Sequence, residues 1–156
     1  MIRSVVRKRL IPLFFCSAVF LLFWSCGKNT NNNVSDPNSN VYVNINMYAN
    51  QPDFSPISIP GGWIYKPGGN KGVIIYRLGQ SQTSSDFVAF ERSCPHDGVS
   101  NGNAYVKVQS DNIHAKDTVC GSIFLITDGS VSSGPSGYPL KPYHVSFDGN
   151  LLHIFN

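Results

Sequence analysis

Two short stretches of the 156-residue chain carry side chains that can do chemistry together. The first is Ser93-Cys94-Pro95-His96-Asp97-Gly98, and the second is Asp117-Thr118-Val119-Cys120-Gly121-Ser122-Ile123-Phe124. Cys94 and His96 flank a proline that fixes the backbone, so two ligand-capable side chains share one rigid turn. Gly98 permits a left-handed backbone or a close approach. Cys120 is followed by Gly121-Ser122, whose backbone N–H groups can donate to a sulfur or an anion. Thiol, imidazole and carboxylate are the donors of a metal site. Each stretch lies between strand-like segments, so the pattern predicts two loops converging on one metal.

The elements that must position these loops read as short strands. Val41, Val43, Ile45 and Met47 alternate with Tyr42, Asn44 and Asn46, the period of a half-buried strand. Trp63-Ile64-Tyr65 ends at the turn Lys66-Pro67-Gly68-Gly69-Asn70, and 72–77 reads as a buried strand. Gln80 to Asp86 is a polar loop, and 87–90 is the strand that feeds the first special stretch. Further strands are predicted over 104–108, 113–116 and 124–126, followed by a tight turn at 127–130 and a small-residue loop over 131–137. Tyr143 to Phe147, Asp148-Gly149-Asn150 and Leu151 to Phe155 read as a closing hairpin. No segment has an extended helical period. Short strands with frequent turns predict an all-β antiparallel sandwich or small barrel over 41–156.

Ahead of this domain stands a different composition. Arg3, Arg7, Lys8 and Arg9 precede an apolar run from Leu10 to Trp24, and Ser25-Cys26-Gly27 follows. This is the layout of a signal peptide over 1–25. The apolar run has 15 residues, short of the roughly 20 that a membrane span needs. Cys26 stands where a bacterial lipoprotein signal places its lipid-attachment cysteine. The expectation is a lipoprotein tethered to the membrane at the cell envelope, its domain outside the cytoplasm. Residues 26–40, almost free of apolar side chains, read as the lipid-anchored flexible linker. Without residues 1–25 the chain has 8 basic against 9 acidic residues, a net charge of −1, so nucleic acid is not expected as a partner. Cys16 goes with the signal, which leaves Cys94 and Cys120 in the domain. Outside the cytoplasm two cysteines can form a disulfide, or they can be two metal ligands.

Here the chain resembles the Rieske iron–sulfur family. Residues 94–96 match its first motif, Cys-x-His, and Gly121-Ser122-Ile123-Phe124 matches the Gly-Ser-x-Phe/Tyr that follows its second motif, Cys-Pro-x-His. Gly129 fits the family's turn, Gly134-Pro135 its proline loop, and Pro139-Leu140-Lys141-x-Tyr143 with the closing hairpin continues the match. The resemblance implies a Rieske-like fold, a [2Fe–2S] cluster with two cysteines on one iron and two histidines on the other, and electron transfer to a redox or envelope protein partner. It also implies no catalysis by this chain, whose length leaves no room for the catalytic iron domain of Rieske-type oxygenases. Alignment on Gly121-Ser122 puts Asp117 where the family has its second cysteine and Cys120 where it has its second histidine. Cys94 and His96 alone match in type.

Three arrangements of the site follow from the resemblance and the residues. A cluster can be held by Cys94 and Asp117 on one iron and His96 and Cys120 on the other. Its extra negative charge, and Phe124 in place of a hydroxyl-bearing Tyr, imply a low potential. Alternatively no cofactor binds, and a Cys94–Cys120 disulfide holds a binding or structural module together; in the chain-entropy model it contributes roughly 3 kcal/mol. Or one zinc or iron ion sits on Cys94, His96, Asp117 and Cys120. Asp97 reads as a turn residue, or as a group orienting His96. His114 reads as an exposed strand residue, His144 and His153 as members of the closing hairpin, and Trp63 as core. There is no nucleophile–base pairing, phosphate loop or acid/base carboxylate pair, so an enzyme is not expected.

Overall fold

The computed structural model describes residues 41–98 and 100–156. The predicted signal segment, Cys26 and the linker lie outside the described residues. No helix among the described residues is long and apolar enough to cross a membrane.

The fold is all-β, as the period-two pattern predicts. Its strands are β1 (Asn44–Tyr48), β2 (Trp63–Lys66), β3 (Val73–Arg77), β4 (Phe87–Glu91), β5 (Val106–Val108), β6 (His114–Asp117), β7 (Ile123–Leu125), β8 (Val131–Ser133), β9 (His144–Phe147) and β10 (Leu151–Phe155). They form three antiparallel sheets, ordered β1-β10-β9, β2-β3-β4 and β5-β6-β7-β8. Short 3₁₀ turns at Pro52–Ile57 and Ser84–Asp86 fill segments that the sequence leaves as loops.

The middle sheet explains the layering. β3 is buried at all five positions, and its side chains alternate between two cores. Val73 and Ile75 join Val43, Met47, Phe54, Phe147, Leu152 and Ile154 in one core. Ile74 and Tyr76 join Phe90, Cys94, Ala104, Val106, Ala115 and Phe124 in the other. This strand is therefore apolar on both faces, whereas β10 alternates between buried and half-buried positions. The second core lies under both chemistry-bearing stretches.

One sequence expectation is corrected here. Residues 131–137 are not wholly a loop, because Val131–Ser133 form β8 at the edge of the third sheet. Ser132 and Ser133 are exposed, so this strand exists through its pairing with β7 and has no alternating apolar pattern to announce it.

Candidate metal centre

The first stretch leaves β4 and turns tightly before β5. Gly98 N–H donates to the Cys94 carbonyl at 2.8 Å, closing the turn around Pro95 and His96. A Cβ at Gly98 would overlap the Ser93 hydroxyl, so the turn needs glycine for closeness. The second stretch connects β6 to β7. Gly121 N–H donates to the Asp117 carbonyl at 3.0 Å, with Gly121 at φ +80°. Within that turn Asp117 Oδ1 accepts the Val119 N–H at 2.7 Å, which fixes its carboxylate.

The two turns meet. Cys94 Sγ and Cys120 Sγ are 3.5 Å apart and not bonded. Donor atoms of Cys94, Asp97, Asp117 and Cys120 all lie within 4.8 Å of one another. Cys94 and Asp117 are fully buried, while Cys120 and Asp97 are half-buried. Asp117 Oδ2 and Asp97 Oδ1 are buried without a hydrogen-bond partner. Two such carboxylate oxygens beside the Cys94 thiol are costly unless a donor or a cation faces them. Burial pushes the Cys94 thiol well above the ordinary range; Asp117, Cys120 and Asp97 push it the same way, against the His96 backbone N–H that lowers it.

A third loop supports the second. Ser122 is fully buried; its N–H points at Cys120 Sγ at 3.4 Å, and its hydroxyl lies 3.1 Å from that sulfur. The Ser136 N–H donates to the same hydroxyl at 3.0 Å. Gly134 makes this approach, at φ +102°, where a Cβ would sit 2.5 Å from Ser122 Cα. Backbone cannot yield there as a flexible side chain can. Gly134→Ala is therefore expected to displace the loop, lower stability by about 2 kcal/mol or more, and raise the reactivity of Cys120 toward a thiol reagent. Unfolding and alkylation rates check this; a variant unchanged in both would contradict the packing described.

Of the residues predicted for the site, Cys94, Asp117 and Cys120 come together. His96 is exposed and stands outside the group of mutually close donors. Asp97, read from the sequence as a turn former, takes a place among them. His114 is also outside; its Nδ1 pairs with Asp111 Oδ2 at 2.6 Å. A Rieske cluster needs two pairs of ligands, one for each iron. The four gathered donors are compact enough for one ion, and they do not include the histidine that the second iron of a Rieske cluster would need.

No family model and no curated protein matches the chain. Among solved structures, the ferredoxin of carbazole 1,9a-dioxygenase from Nocardioides aromaticivorans IC177 is similar over 69% of this chain and 96% of its own, with 17% identity and a TM-score of 0.45. A protein described as an NADH-dependent nitrite reductase small subunit, from Mycobacterium tuberculosis, is similar over 73% of this chain and 96% of its own, with 14% identity and a TM-score of 0.40. Likenesses this remote carry no weight on function, which rests on the donors themselves.

Proposed function

We propose that this protein is a Rieske-type electron-transfer domain with its metal centre where the Cys94 and Cys120 loops meet, lipid-anchored at the bacterial cell envelope outside the cytoplasm. The observation that carries this reading is the convergence itself. Two unbonded thiols at 3.5 Å and the buried, unpartnered Asp117 Oδ2 come from two loops far apart in sequence. A third loop supports this reading, with Gly134 packed against Ser122 and the Ser136 N–H donating to the Ser122 hydroxyl beside Cys120.

Cys94 and Asp117 would hold the metal from the buried side and Cys120 from the rim. A redox-active metal there supplies a one-electron change. The protein's part is to exclude water with Phe124, Leu140 and Ala104 of the second core, and to donate the Ser122 N–H toward the Cys120 sulfur. Exposed His96, Val119 and Tyr138 flank the loops and give an electron partner a surface to meet. Thiolates with a carboxylate bring more negative charge than two thiolates with two imidazoles. The potential is therefore expected below the usual Rieske range of about −150 to +300 mV. Voltammetry of the iron-loaded protein checks this; no reversible one-electron wave, or one inside that range, would contradict it.

The anchor makes its own prediction. Cys26→Ala should move the protein from the membrane fraction to the soluble one and abolish labelling by fatty acid. Unchanged membrane retention would mean that the apolar run itself is the anchor.

The 3.5 Å sulfur separation also favours a second reading, in which oxidation closes a Cys94–Cys120 disulfide and the domain is a redox-inactive binding module. Two titratable thiols in the metal-stripped, air-exposed protein would speak against it, and none would speak for it.

A further inference from the structure

Resting on the reading that the loops hold a metal, we propose that the site takes a single first-row divalent cation, of the iron and zinc class, on a Cys₂Asp₂ donor set: Cys94, Cys120, Asp117 and Asp97. Two sulfurs each about 2.3 Å from one tetrahedral ion stand about 3.8 Å apart. The observed Sγ–Sγ separation is 3.5 Å, so an ion fits with a small opening of the pair. The other two donors lie inside the same 4.8 Å limit, which is the compactness of a one-ion site.

The unpartnered atoms point to the same set. Asp117 is fully buried, and its Oδ1 is held by the Val119 N–H while Oδ2 has no partner. A carboxylate held by one oxygen and free at the other is how an oriented ligand is built. Asp97 Oδ1 is likewise buried and unpartnered. Thiolates select a soft or borderline ion over magnesium or calcium, and tetrahedral sites that include sulfur suit zinc or iron. His96 has no place in this set. Its imidazole is exposed beside the site, so the Cys-x-His that marks the loop in the sequence contributes its cysteine and, one residue past its histidine, an aspartate.

The test uses the full-length protein, extracted in detergent, reduced and stripped of metal under anaerobic conditions. It is titrated with Co²⁺ alone, then with Zn²⁺ and Fe²⁺ in competition, and the protein as isolated is assayed for iron, zinc and acid-labile sulfide. The expected results are one equivalent of Co²⁺ with thiolate charge-transfer and tetrahedral d–d bands, and one iron or zinc without sulfide in the isolated protein. Asp117→Asn and Asp97→Asn should each weaken Co²⁺ binding at least 10-fold with the sheet content by circular dichroism unchanged, and Cys120→Ser should remove about half of the charge-transfer intensity. His96→Ala should bind within twofold of the wild type. Two irons and two sulfides per chain, lost in His96→Ala, would overturn the one-ion site while leaving the metal centre standing. A reduced, folded protein that takes up no cation would overturn both. Zinc in place of iron would uphold the site and remove electron transfer from its function.

Discussion

Glu91→Gln is expected to destabilise the domain by about 1–3 kcal/mol and to lower its melting temperature by roughly 5 °C or more. Glu91 ends β4 and is fully buried. Its Oε2 accepts the Asn70 N–H at 2.7 Å and the Tyr143 hydroxyl at 2.7 Å. Its Oε1 accepts the Lys71 N–H at 2.8 Å and the Ser93 N–H at 2.9 Å. Four donors converge on two oxygens, and only an acceptor-only group satisfies them. A glutamine whose NH₂ replaces Oε1 meets two backbone N–H groups; turned the other way it meets the Asn70 N–H and the Tyr143 hydroxyl, which can turn to accept, so at least one buried donor is left unsatisfied at a cost of about 1–3 kcal/mol. Tyr143→Phe removes one donor and should cost only about 1 kcal/mol. The carboxylate also ties the β2–β3 turn to Ser93, the residue before Cys94, so metal affinity should fall with stability. Urea unfolding of the two variants tests this, and a Glu91→Gln midpoint equal to that of the wild type would contradict the role assigned.

Asp117→Cys combined with Cys120→His is expected to take up two irons and two sulfides on anaerobic reconstitution, to a higher level than the wild type. The physical case is one of depth. Cys94 and Asp117 are both fully buried, while Cys120 is half-buried and His96 exposed. A Rieske cluster puts two thiolates on one iron and two imidazoles on the other. The double substitution places thiolates at the two deep positions and imidazoles at the two outer ones. A brown protein with absorption stronger than that of the wild type is the expected outcome. A folded, colourless double variant would show that the loops lack the spacing for two irons whatever their ligands.

Much of the fold can be read from the chain because its middle layer is written in apolar residues. Val73, Ile74, Ile75 and Tyr76 can form only a strand buried on both faces, and Asp148-Gly149-Asn150 between alternating strands can form only a hairpin. β8 was not legible, since serines at a sheet edge are held by a neighbour and not by burial. Glu91 was not legible either. A glutamate at a strand end reads as a solvated charge, and nothing local shows that four donors from the turn after β2, the start of the first loop and β9's approach will meet it.

In the site the donor types were legible and their directions were not. Cys94-Pro95-His96-Asp97 offers three candidate ligands in one turn, and the sequence ranks His96 above Asp97 by chemistry. The turn closed by Gly98 sends the imidazole outward and leaves a carboxylate oxygen buried beside the thiols. The offset of Asp117 and Cys120 from the Rieske pattern was visible as a misalignment of types. Only the folded loops show that these two side chains nonetheless arrive at the point where Cys94 waits.

The most direct measurement of the central claim is the metal content of the protein isolated anaerobically, set against the same preparation of Asp117→Asn. One equivalent of iron per wild-type chain, and much less in the variant at equal fold, is the result predicted; zinc instead would uphold the site and contradict electron transfer. A folded wild-type protein that is metal-free on isolation and refuses added cation would contradict it.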